Sequence, residues 1–210
     1  MYTYCIWDFN GTILNDVELG VYSVNLLMKN HGVPLVLSRD AYRERFDFPI
    51  IDYYRELGFD FDKTPYELLA KEWVDIYMEN LFRAELFPEL KGALEFFKSK
   101  GIAQSVLSAS ENDMLNGQIK GLGISSYFEN IMGIDNIYGD SKLAIARRWR
   151  EAHPDDKVIF IGDTTHDIET AKELGAECFI VCAGHQCKKR FESCEVRVFE
   201  SLGELIESLK

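Results

Sequence analysis

The chain has 210 residues, 47% of them apolar and 28% charged, with a formal net charge of −12. That length holds one large domain or a core with a modest insert, and the apolar share is enough for a packed interior. The acidic balance argues against nucleic acid and an anionic membrane surface, because such partners are held by Lys and Arg. A small anionic ligand would need cations gathered locally.

The opening Met1-Tyr-Thr-Tyr-Cys-Ile-Trp7 has no basic stretch followed by a cleavable apolar segment, and no run approaches the roughly 20 apolar residues of a membrane helix. A cytoplasmic protein with reduced thiols, monomeric or homodimeric, is expected. Cys178, Cys182, Cys187 and Cys194 gather near His185, but their spacing matches no paired Cys-x-x-Cys pattern, so zinc is not expected.

In chain order, Tyr2 to Phe9 is predicted as a strand ending abruptly at Asn10-Gly11. An amphipathic helix follows from about Asp16 to Asn30, with Val17, Val21, Val24 and Met28 on one face and Asp16 as N-cap. Further helical segments, interrupted by Pro34, Pro49, Gly58 and Pro65, run to about Leu81, with no buried strand between 15 and 85. Alternation then begins: helix 88–100, strand 102–107, helix 112–122, strand 130–132, helix 142–151. Strand 158–161, helix 165–174, strand 177–181 and a last helix near 202–209 follow. Alternating strands and helices imply a doubly wound parallel α/β sheet. The division expected is a core of residues 1–14 and 86–210 with an α-helical insert, 15–85.

Open parallel sheets bind ligands beyond the carboxyl ends of their strands. The first strand ends in Asp8-Phe9-Asn10-Gly11-Thr12 and the second in Ser108-Ala109-Ser110. Lys142 opens a helix, and a later strand ends in Gly162-Asp163-Thr164-Thr165-His166-Asp167. Carboxylates suit Mg²⁺, while a lysine, a hydroxyl and loop amides suit phosphate. Taken singly, each residue also has a plainer reading. Asp8 or Asp163 could be a turn residue, Ser108 a helix cap, Lys142 a solvated lysine and Asp167 a favourable first-turn charge. His166 reads as an exposed turn residue.

Together these segments resemble the four motifs of the haloacid dehalogenase-like phosphatase superfamily. The helical insert is similar to the cap of the subgroup containing phosphoglycolate phosphatase and β-phosphoglucomutase. The resemblance implies a Rossmann-like core and hydrolysis of a small phosphorylated metabolite through an aspartyl-phosphate on Asp8. By it, Asp8, the backbone carbonyl of Asn10 and Asp163 would hold Mg²⁺. Gly11, Ser108, Ala109 and Lys142 would bind phosphate, and Asp167 would orient Lys142 or a water on the metal. One departure stands out. The family's phosphatases carry a second Asp two residues after the nucleophile as proton carrier, and Asn10 stands there; an amide exchanges no proton at neutral pH. Such a group contributes roughly 10²–10⁴ in rate. That leaves open a phosphotransferase, a phosphatase of good leaving groups, a phosphonate hydrolase or a non-catalytic phosphate-binding regulator. It also leaves open a substitute proton carrier from the insert, such as Asp47. Arg43, Arg45 and Arg55 are candidates for clamping a second anionic group of the substrate, or else offset neighbouring acids.

Overall fold

The computed structural model describes residues 2–139 and 141–210. Strand β1 (Tyr4–Trp7) has all four side chains buried, and β6 (Val158–Gly162) is buried throughout, as continuous apolar runs predict for strands covered on both faces. With β4 (Ala103–Glu111), β5 (Asn130–Ile134), β7 (Glu177–Val181) and β8 (Arg197–Phe199) they form a parallel sheet in the order β5-β4-β1-β6-β7-β8. The period-2 alternation of side chains divides the interior in two. Cys5 and Trp7 face α5 (Leu90–Ser99), α6 (Asn112–Gly121) and α9 (Leu202–Glu207), whereas Tyr4 and Ile6 face α7 (Leu143–Ala152) and α8 (Thr165–Leu174). Each large apolar side chain buried there contributes about 1.5–3 kcal/mol.

Between β1 and the rest of the sheet the chain makes α1 (Val17–Asn30), α2 (Arg39–Arg45), α3 (Ile50–Leu57) and α4 (Tyr66–Glu79). These helices close over a third apolar cluster containing Val17, Val24, Leu27, Tyr42, Tyr53 and Leu69. A two-residue antiparallel ladder, β2 (Leu14–Asn15) with β3 (Glu85–Leu86), lays the entry to and exit from this helical segment side by side.

Four expectations need correction. The short strand β8 is absent from the sequence-based series. The second core strand runs on to Glu111, with a register shift against β5 between Leu107 and Glu111, so Ser108, Ala109 and Ser110 lie within it. Asp16 precedes α1, but its side chain makes no capping bond; it is buried, because stronger partners lie inward. The two-residue strands β2 and β3 are absent from that series as well, and the remaining core elements fall within a few residues of expectation.

Candidate active site

The sheet changes direction of winding at β1: β4 and β5 lie to one side, and β6, β7 and β8 to the other. At the carboxyl ends of β1, β4 and β6 the loops diverge and leave a crevice. Asp8, Asp163 and Asp167, all buried, place carboxylate oxygens within 4.8 Å of one another there. Lys142, at the N-cap of α7 and only 2% exposed, reaches this cluster. Its ammonium donates to Asp8, to Asp167 at 2.7 Å and to the Leu107 carbonyl at 3.2 Å. It is therefore no solvated lysine. Burial alone would lower its pKa, but Asp167 and Asp8 outweigh that and raise it.

The three carboxylates differ in their support. Burial pushes Asp8 well above the usual carboxylate range; Lys142 opposes this, and Asp167 and Asp163 add to it. Burial pushes Asp163 up to about 7, opposed by His185 and reinforced by Asp167. Asp167 is buried too, yet Lys142 and hydrogen bonds hold it below its usual value. Its Oδ2 accepts from the backbone N–H groups of Asp163 (3.0 Å) and Thr164 (2.9 Å) and from the Thr164 hydroxyl (2.8 Å). Asp163 accepts from the Thr12 hydroxyl at 3.1 Å and the His185 N–H at 2.6 Å. Gly11, at φ +72°, and Gly184 flank that carboxylate so closely that a Cβ at either would overlap it. Ser108 Oγ donates to Ser110 Oγ at 3.2 Å and accepts from the Ser110 N–H at 3.1 Å. The residue that caps α6 is Glu111.

A second buried network stands beside this cluster, and sequence reasoning missed its centre. Asn10 donates both amide hydrogens, to Asp16 Oδ2 at 2.8 Å and to the Tyr77 hydroxyl at 3.0 Å, and its Oδ1 accepts from Ser110 at 2.8 Å. Asp16 also accepts from the Gly11 N–H at 2.8 Å, the Tyr77 hydroxyl at 2.7 Å and His185 Nε2 at 3.1 Å. Burial disfavours charge on both His185 and Asp16, yet their mutual attraction prevails. His185 rises to about 9, and Asp16 falls below the usual carboxylate range. The other ring nitrogen of His185 bonds the Tyr42 hydroxyl at 2.9 Å, so the histidine is no ligand for a cysteine-held metal. The only sign available in the sequence was the acid Asp16 eight residues after Asp8.

A cavity of about 160 Å³ runs from Asp8, Asn10, Ser108 and Lys142 under the helical segment, where aromatic side chains line it. His166 lines it too. Instead of sitting exposed in a turn, it is buried in the first turn of α8 and stacks on Phe48 at 4.8 Å between ring centroids. Its Nε2 has no protein partner. The three candidate arginines do not line the cavity. Arg43 turns onto the backbone carbonyls of Cys182, Gly184 (2.7 Å) and Gln186 (3.0 Å). Arg45 is exposed, and Arg55 pairs with Asp52. Asp47 pairs with Arg190, outside the cavity.

The profile of the haloacid dehalogenase-like hydrolases matches residues 5–181. The chain belongs to this family. The phosphoglycolate phosphatase of Aquifex aeolicus is 26% identical over 189 residues, covering 86% of this chain and 84% of that protein. The phosphoglycolate phosphatase of Escherichia coli K12 is 23% identical over 130 residues, 59% of this chain but only 51% of that enzyme. Among solved structures, a haloacid dehalogenase-like hydrolase from Streptococcus pneumoniae superposes with a TM-score of 0.83 at 19% identity, covering 100% of this chain and 99% of the other. A Bacteroides fragilis protein of the same class gives 0.79 at 23% identity, covering 98% and 100%. This haloacid dehalogenase-like hydrolase is thus of the phosphatase type, with a Rossmann-like core. Phosphatases of the family use a divalent metal, and the buried trio of carboxylates is the acidic cluster found among the described residues. Hard oxygen donors crowded against one another in a buried site fit such an ion.

Proposed function

We propose that the chain hydrolyses a small phosphomonoester through an aspartyl-phosphate on Asp8. The observation that carries this reading is the convergence of Asp8, Asp163, Asp167 and a fully buried Lys142 at one sheet edge. Asp8, Asp163 and the backbone carbonyl of Asn10 would hold Mg²⁺, which when bound supplies positive charge against the phosphate oxygens. Lys142 neutralises phosphate charge from the opposite side, with Asp167 fixing its ammonium. The Ser108 hydroxyl and the amides near Gly11 and Ala109 complete the phosphate cradle.

Asp8 attacks phosphorus, the P–O ester bond breaks, and its electron pair leaves with the alcohol oxygen. Water then attacks the aspartyl-phosphate, releasing inorganic phosphate and restoring the carboxylate. Asn10 takes no part in moving protons, because both its donors and its acceptor are engaged. That favours substrates whose leaving oxygen needs no proton, such as aryl or acyl phosphates. We also take residues 15–85 as a cap over a core of 1–14 and 86–210, with hinges near Asn15 and Pro88 that close the site against water.

Phosphate release from p-nitrophenyl phosphate, with Mg²⁺ or with chelator, tests the assignment. Turnover should require the metal and vanish in Asp8→Asn. Activity that survives Asp8→Asn would exclude Asp8 as nucleophile.

A further inference from the structure

Resting on that phosphatase reading, we infer from the cavity that the alcohol part of the substrate is a compact, uncharged aromatic ring, and not a carboxylate-bearing group such as glycolate. Lys142 is the one lysine or arginine lining the cavity among the described residues, and it is committed to Asp8 and Asp167 at the phosphate end. A substrate with a second anionic group would need a second cation. The arginines of the helical segment do not provide it, and both ring nitrogens of His185 are already bonded, to Tyr42 and Asp16. His166 lines the cavity with Nε2 unpartnered, but an imidazole stacked on Phe48 offers a hydrogen bond and not the permanent charge of a lysine or arginine.

What the far end of the cavity does offer is aromatic surface: Phe46, Tyr53, Tyr54, Tyr66 and Trp73. Rings stack on rings in offset or edge-on geometry with about 0.5–1.5 kcal/mol beyond the burial of area. Glu111 lines the cavity as well, and its negative charge opposes a carboxylate further. Size sets the other limit. A cavity of about 150 Å³ lined by apolar side chains holds benzene, so the 160 Å³ here is of the size to take a single ring. An aryl oxygen also departs without a proton donor, consistent with Asn10 having none to spare.

Leaving-group chemistry alone makes aryl phosphates react quickly, so the test measures binding. Calorimetric titration with Mg²⁺ present compares phenylphosphonate, phosphonoacetate and inorganic phosphate, none of which can be hydrolysed. Phenylphosphonate should bind at least tenfold more tightly than phosphonoacetate. Trp73→Ala should narrow that gap, and Val74→Arg, which adds a cation to the wall, should reverse it. Should Val74→Arg fail to fold, the wild-type ratio and Trp73→Ala decide alone. Phosphonoacetate binding as tightly as phenylphosphonate, with inorganic phosphate bound as well, overturns the aromatic assignment and leaves the phosphate site standing. Failure of all three to bind removes the phosphate site and this inference with it.

Discussion

The surroundings of Asn10 are built for an amide. Its Nδ2 points at a carboxylate, Asp16 Oδ2, at 2.8 Å. A carboxylate at position 10 would turn that hydrogen bond into a buried contact between like charges. Asn10→Asp alone is therefore expected to lower stability at neutral pH, by less than the about 3–5 kcal/mol of a fully buried uncompensated charge because position 10 is only partly buried. The loss should shrink as pH falls and one of the two acids takes up a proton. Asn10→Asp combined with Asp16→Asn restores one donor to one acceptor and should recover most of it. Urea unfolding of the two single variants and the double variant checks this. Equal loss in Asn10→Asp and in the double variant would show that the amide at 10 is not matched to the acid at 16.

At the scale of elements, the helical segment is tied to the sheet by a seam that the hinge proposal must accommodate. Arg43 of α2 fans its guanidinium over three backbone carbonyls of the loop after β7. The Cys187 N–H returns a bond to the Arg43 carbonyl at 3.2 Å, and Gln186 Nε2 donates to the Phe46 carbonyl at 2.9 Å. Hydrogen bonds to a charged group contribute about 1.5–3 kcal/mol each, so Arg43→Ala should cost a few kcal/mol. Its effect should be local: faster amide exchange in residues 39–45 and 182–187, with the exchange of β1 and β6 little changed. Arg43→Lys should rescue only part of this, because a point-like ammonium cannot serve three carbonyls spread across a planar fork. Uniformly faster exchange throughout the chain would show that the seam has no separate existence.

For the molecule as a whole, stability should depend on pH in a way the buried charges dictate. His185 rises from an ordinary 6.5 to about 9, so its contribution is whole below about 6.5 and fades as pH climbs through 9, a shift equivalent to about 3 kcal/mol. Asp16, held below its ordinary 3.8, contributes above that value and loses its contribution as pH falls. Asp163, raised by burial to about 7, makes stability fall as pH rises from about 4 to about 7, and Asp8, raised by burial as well, adds a decline of the same sign that starts at its ordinary value. In chelator, the urea midpoint should drop between pH 6 and 9, and His185→Gln should flatten part of that slope. Mg²⁺ should flatten the rest if the carboxylates hold it. Of this molecule, the alternating core was legible because its strands are continuous apolar runs and its helices have clear periods. The carboxylate cluster was legible because Asp8 and Asp163 directly follow buried strands and Asp167 lies in the first turn of the helix after the second of them. The Asp16 network was not: an acid before a helix reads as a cap, and what turns it inward is His185, 169 residues further on. His166 escaped likewise, since the ring it stacks on, Phe48, belongs to the helical segment. Strand β8 has only three residues, Arg197, Val198 and Phe199, too few for a pattern.

The central place of β1 has a consequence for synthesis. It is made early, yet one of its two neighbours, β6, lies about 150 residues later in the chain. At translation rates of roughly 5–20 residues per second that is a wait of about 8–30 s. Throughout it, the apolar edge of Tyr4–Trp7 that β6 will cover has no native strand beside it, and such an edge is a template for pairing with other chains. How long that edge stays uncovered during synthesis is therefore set by the schedule of translation, not by the stability of the finished sheet.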